Sequence, residues 1–156
     1  MNNFERMIKV AEEVFDAKND PDQLDVDEEV IAHLQKIHPA AVSEESDENG
    51  PIAWILIIPT TLSLMKDFLD KKISEKELYD RTPLNEKYEA IYLCSGIVLP
   101  EYRRKGIAKR LTLHAIAEMS KQHTFKAIFE WPFTSEGNSG AESIARELSL
   151  PLYKRM

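Results

Sequence analysis

Five basic side chains, Arg103, Arg104, Lys105, Lys109 and Arg110, gather around Gly106 in the stretch VLPEYRRKGIAKRL, Val98 to Leu111. The 156-residue chain that carries them has a net charge of −7. An apolar run leads into the stretch, and a helical pattern follows from about Lys105. The chemistry on offer is anion binding. The first N–H groups of a helix have no internal partners, and the helix dipole is positive there. Gly106 lets a ligand approach the backbone without a Cβ in the way, and small Ala108 keeps the next turn open. The anion suited to such a site is a phosphate or pyrophosphate. A Walker loop would need a second glycine and a Lys-Ser/Thr, and the dinucleotide fingerprint three glycines; neither pattern is present. Two other readings stand beside this one. One is a solvated basic helix start. The other is a nucleic-acid patch, with Tyr102 among the cations, although the acidic remainder argues against tight duplex binding.

Other reactive residue types carry less. His114 and His123 stand at no ligand spacing and no metal motif surrounds them, so no metal ion is expected. Cys94 lies among apolar residues and reads as core. A single cysteine can neither close an internal disulfide nor anchor a zinc cluster. Trp54 and Trp131 also read as core, with Trp131 before Pro132 at a strand end where a substrate would enter.

The elements that must position these residues follow from periodicity. Phe4, Met7, Ile8, Ala11, Val14 and Phe15 predict a helix over 3–17, broken by NDPDQ at 19–23. Val30, Ile31, Leu34 and Ile37 mark a second helix that stops before Pro39. AAVSEES reads as a short strand and PIAWILIIPT as a buried one. Asn49-Gly50 between them is a hairpin signal, both residues accepting positive φ. Residues 62–82 return to helix, with capping-box spacing at Ser74 and Glu77. YEAIYLCSGIVLP reads as a central strand and 105–121 as a helix. FKAIFEWPF alternates Phe125, Ala127, Phe129 and Trp131 against Lys126, Ile128 and Glu130, the period of a strand. TSEGNSG reads as a loop. Ser139 with Glu142 again has capping-box spacing, opening a helix with Ala141, Ile144, Ala145 and Leu148 on one face. PLYKRM gives a last short strand. This order predicts one domain over residues 1–156, α/β (α+β) in class, with a mixed sheet.

Composition agrees with a soluble protein, at 43% hydrophobic and 30% charged residues. The longest apolar run, IAWILIIP, is too short to span a bilayer, and MNNFERMIKV has no signal-peptide core. The expectation is a cytoplasmic protein without a membrane partner. Charge is uneven: residues 1–50 hold 14 acidic and 4 basic side chains, the rest 13 and 16. The acidic half either attracts a cationic substrate or is a solvated face.

VLPEYRRKGIAKRL resembles the acetyl-coenzyme A signature of the GNAT N-acetyltransferase superfamily, Arg/Gln-x-x-Gly-x-Gly/Ala, met by Arg103, Gly106 and Ala108. The lead-in Val-x-Pro-x-Tyr-Arg is met by Val98, Pro100, Tyr102 and Arg103. The resemblance covers roughly residues 88–148. It implies a GNAT-like mixed, mostly antiparallel sheet flanked by helices, here expected to lack the first strand and the final hairpin. It implies acetyl-coenzyme A as co-substrate. The N–H groups from Arg103 through Arg104, Lys105, Gly106, Ile107 and Ala108 to Lys109 would hold the pyrophosphate. Ile97, Val98 and Leu99 would pair with the pantetheine arm in a gap between the SGIVLP and FKAIFEW strands. Asn138, in NSGA, matches the family's Asn-x-x-Ala and would bond the arm or the adenine side.

The reaction so implied is direct attack of a neutral amine, of a small molecule or a protein, on the acetyl thioester. It needs a base, an oxyanion donor and an acid for the thiolate. The N–H of Val98 suits the oxyanion. Many family members carry a tyrosine seven residues after the Asn of the Asn-x-x-Ala stretch, where this chain has Ala145, so the acid is unassigned; Tyr153 lies further on. The base candidates are Tyr92, near the usual position of a family glutamate, and Glu130 on the neighbouring strand. The alternative function is a non-catalytic acyl-coenzyme A-binding module of the same fold. An open sheet edge near the last strand would further point to a homodimer that buries Phe133 and Tyr153.

Overall fold

A computed structural model describes residues 2–18, 24, 27–132 and 134–156, with side chains left out over 14–18. The expected break at 19–23, the side chains of Val14 and Phe15, and Phe133 therefore lie outside the described residues. Two helices come first, α1 (Asn3–Lys18) and α2 (Glu28–Ile37), followed by a 3₁₀ turn at Pro39–Ala41. Asp27 starts α2 by accepting a bond from Val30 N, and Val30, Leu34 and Ile37 bury one face of it. The hairpin β1 (Val42–Asp47) and β2 (Gly50–Thr60) is next, then α3 (Leu62–Leu69) and α4 (Glu75–Arg81). The expected capping box is present: Ser74 accepts from Glu77 N, and the Glu77 carboxylate accepts from Ser74 N. The chain continues through β3 (Ala90–Val98), a 3₁₀ turn at Pro100–Tyr102, α5 (Ile107–Met119), β4 (Ala127–Glu130), α6 (Ser135–Leu148) and β5 (Leu152–Lys154).

The five strands lie in the order β1-β2-β3-β4-β5. The long strands β1, β2 and β3 pair antiparallel. The short ones, β4 and β5, join in parallel through the crossover helices α5 and α6. Among the described residues fourteen of the 21 register pairs are antiparallel, so the sheet is mixed and mostly antiparallel, and six α-helices flank it. Ile55–Ile58, Ile91, Ile128 and Phe129 form its buried centre, with Leu34, Leu78, Ile116 and Ile144 packing from the helices. A second cluster joins Met7 of α1 and Ile107 of α5 to Ile52, Ala53, Ile97 and Leu99.

Two local expectations shift. The hairpin loop is Glu48-Asn49, one residue earlier than the Asn-Gly pair suggested, and Asp47 faces Gly50. Asp47 Oδ1 accepts from Asn49 N at 2.7 Å, which holds the turn without a positive φ at Asn49. Gly50 alone takes the positive value, +118°. The stretch TSEGNSG is the opening of α6 rather than a loop. Thr134 caps it, accepting from Gly137 N at 3.0 Å, and Ser139 lies inside. Two glycines and two serines lower helix propensity there, but the cap and the buried face of Ala141, Ile144 and Ala145 outweigh it.

Candidate active site

The β3 and β4 ladders run together only from Ala90/Ala127 to Leu93/Glu130. There β4 stops, while β3 continues to Val98. Cys94 is an extra residue in β3: Leu56 faces Ser95 and Ile57 faces Leu93, so the strand bulges where its neighbour leaves. Beyond that point one edge of β3 is open. Leu99 N donates to Ile52 O at 2.9 Å, on the β2 side. By alternation Val98 and Gly96 turn their N–H groups to the vacated side. Of the three strand residues expected to meet a ligand, Val98 therefore faces the fork. Ile97 and Leu99 are committed to the core and to β2.

The basic loop sits at the end of this open edge. Gly106 is the N-cap of α5 at φ +76°, and no side chain caps the helix. The N–H groups at the start, from Ile107 through Ala108 to Lys109, thus keep their ligand capacity. Arg104 also has a positive φ, +65°, an unusual state for a side-chain-bearing residue that concentrates at functional loops. Arg103 differs from the expectation: its N–H bonds Pro100 O at 3.3 Å, and its side chain turns back so that Nε donates to Val98 O at 3.0 Å. Lys109 and Arg110 are paired with Glu147 and Glu45 at 2.7 and 2.6 Å. Among the described residues Arg103, Arg104 and Lys105 have no carboxylate partner and are exposed, with Lys105 Nζ 5.6 Å from the centre of the Tyr102 ring. The one acid in the loop is neutralised: Glu101 makes a two-pronged pair with Arg6 of α1, which holds its carboxyl down at about 2. Tyr102 OH donates to Asp47 of β1 at 2.5 Å, so the start of the loop is tied both to α1 and to β1.

Three buried side-chain atoms lack a hydrogen-bond partner among the described residues: Ser95 Oγ, Glu130 Oε2 and Asn138 Oδ1. They come from the three elements around the fork, β3, β4 and α6. A buried polar atom without a partner costs about 1–3 kcal/mol, and such atoms fit a site completed by a ligand with its own donors and acceptors. Glu130 is 4% exposed, and burial raises its carboxyl to about 7, with Lys154 opposing the rise and Glu142 adding to it.

Tyr92 and Glu130 are not brought together. Tyr92 pairs with Phe129, and both rings lie against Phe68 of α3, with centroids 5.0 and 5.8 Å away. Glu130, the next residue, points to the other face, toward Lys154 of β5 and Glu142 of α6. The Tyr92 hydroxyl donates to Glu75 of α4, and burial holds its proton far above the ordinary tyrosine range. Tyr92 is thus committed as a donor inside the wall of the site. Sequence reasoning missed Glu75, Ser95, Glu142, Lys154 and Arg155. The spacing of Asn138 and Glu142 at i,i+4 was the one local signal among them.

A family model described as Acetyltransferase (GNAT) family matches residues 11–149. No curated protein and no solved structure gives a significant match. The family transfers acetyl groups from acetyl-coenzyme A. The matched span contains the open strand edge, the bulge at the fork and the uncapped helix start behind the basic loop, and the chain belongs to the GNAT acetyltransferase family.

Proposed function

We propose that the protein transfers the acetyl group of acetyl-coenzyme A to a primary amine, of a small molecule or a protein, by direct attack. The observation that carries this is the fork, where β3 leaves an open edge and three buried polar atoms await partners. Bound acetyl-coenzyme A would supply an activated thioester. The N–H groups at the start of α5, with Arg104 and Lys105, would hold its pyrophosphate. Gly96 and Val98 offer outward N–H groups for the arm and for the developing oxyanion. Asn138 Oδ1 offers an acceptor for an amide N–H. Glu130 is the base: with a carboxyl near 7 it is partly ionised at neutral pH and can take a proton from the incoming ammonium.

One observation favours the second reading, an acyl-coenzyme A-binding module without turnover. Ala145 is buried where many family members place a tyrosine, and Tyr92 is committed to Glu75. Calorimetry with coenzyme A, followed by thiol release on a panel of amines, tests both. A side chain on Gly106 would meet no neighbour over the helix start, although the φ of +76° strains it, so Gly106→Glu should both strain the loop and place a carboxylate where the pyrophosphate lies. Coenzyme A affinity should fall at least tenfold; unchanged affinity removes the loop assignment. Binding without thiol release from any amine favours the non-catalytic module.

A further inference from the structure

We infer that Glu142 and Lys154 are positioning residues of this site. Glu142 orients the amide of Asn138 toward the fork and holds the Lys154 ammonium away from Glu130. The inference rests on the acetyltransferase reading. One carboxylate oxygen, Glu142 Oε1, accepts from Asn138 Nδ2 at 2.8 Å and from Lys154 Nζ at 3.0 Å. A carboxylate can only accept, so Asn138 must turn its NH₂ to Glu142. That fixes the amide rotation and leaves Oδ1 buried, without a partner, as an acceptor. Asn138 and Glu142 are four residues apart on α6, so the helix itself sets their separation.

The other branch reaches the base. Lys154 stands opposite Glu130 in the β4–β5 register. An ammonium in that position would be expected to bond the carboxylate beside it, yet Glu130 Oε2 has no partner, because Nζ is turned to α6. The charged groups facing Glu130 are Lys154 from β5 and Glu142 from α6, while β3 presents Leu93. The two charges act on Glu130 in opposite directions. Removing them singly should therefore move its protonation in opposite directions, which a merely structural role would not do.

The test is a carbon-13 NMR titration of the Glu130 carboxyl in the full chain without ligand. Glu142→Gln removes a negative neighbour and weakens its hold on Lys154, so the midpoint should fall by about half a pH unit or more. Lys154→Met removes the positive one, so the midpoint should rise by a similar amount. The acidic limb of the pH–rate profile should follow both. Coenzyme A affinity should survive in Glu142→Gln, whose carbonyl still accepts from Asn138, and fall in Glu142→Ala as far as in Asn138→Ala. Midpoints that stay put or move together, or a Glu142→Ala variant with full affinity, overturn the inference. The titration needs no turnover, so a chain that acetylates no amine refutes the activity reading and leaves the Glu130 midpoints to decide this one.

Discussion

Glu130 is held where its neutral form is favoured, and that has a consequence for folding apart from any catalysis. Its carboxyl lies at about 7 in the folded chain and near the ordinary glutamate value, about 4.3, in the unfolded one. Between those values the folded state binds more protons. Stability from this group is full below the unfolded value and is lost as pH rises to 7. The loss is on the order of 4 kcal/mol at most, taking about 1.4 kcal/mol per pH unit. Urea unfolding at pH 5 and pH 8 should show the parent losing more stability than Glu130→Gln across that interval. Equal losses would mean that water reaches the carboxylate. The orientation of Glu130 was legible, because strand alternation sets it opposite Phe129. Its neighbours were not. The pairing of Glu130 with Lys154 depends on the β4–β5 register, which no local pattern encodes, and so did the commitment of Tyr92 to Glu75, seventeen residues earlier.

α3 and α4 form a wall over one face of the fork, and buried polar contacts hold it. Glu75, 3% exposed at the start of α4, accepts from Tyr92 OH on β3 and from Leu24 N, between α1 and α2, at 2.7 Å. Arg155 donates to Ile73 O at 3.1 Å, with its guanidinium 4.5 and 4.6 Å from the rings of Phe68 and Trp131. Glu75 thus ties α4 to β3 and to the segment before α2, and Arg155 ties the residue after β5 to the turn before α4 and to two rings. Tyr92→Phe keeps the ring and removes one donor from a buried carboxylate, which should destabilise the fold by about 1–3 kcal/mol. Ser74→Ala removes only the cap and should cost about 1 kcal/mol. Chemical denaturation ranks them, and a Tyr92→Phe variant as stable as the parent would show that Glu75 is satisfied by others. The cap was readable because a capping box is a contiguous four-residue pattern. The start of α6 was not, because the glycines and serines of TSEGNSG look like a loop until Thr134 and the buried alanine face are seen together. The hairpin was readable as a hairpin and misplaced by one residue, since Asp47 holds the turn that Asn-Gly chemistry alone would have centred later.

The whole sheet has two outer strands, β1 and β5, and they differ in how they resist pairing. β1 carries Glu44, Glu45 and Asp47 and a register shift between Glu45 and Ser46. Charge and a bulge are the devices that keep an edge single, and two copies of β1 side by side would set like charges against each other. β5 has neither bulge nor acid. It pairs with β4 on its inner side, Tyr153 on it is 45% exposed, and Met156 just beyond is 84% exposed. Arg155 N bonds Glu130 O, so by alternation the N–H groups of Leu152 and Lys154 point outward. Two such edges related by a twofold axis would satisfy each other's donors and cover both tyrosines, the symmetry most soluble pairs adopt. We therefore expect a homodimer through β5, seen by light scattering at micromolar concentration as twice the 17.9 kDa chain mass. Leu152→Pro deletes one outward donor without touching the inner ladder and should return the mass to that of a monomer. A parent that is already a monomer at about 100 μM, where contacts weaker than about 5.5 kcal/mol fail to hold, would show that β5 tolerates its open edge alone.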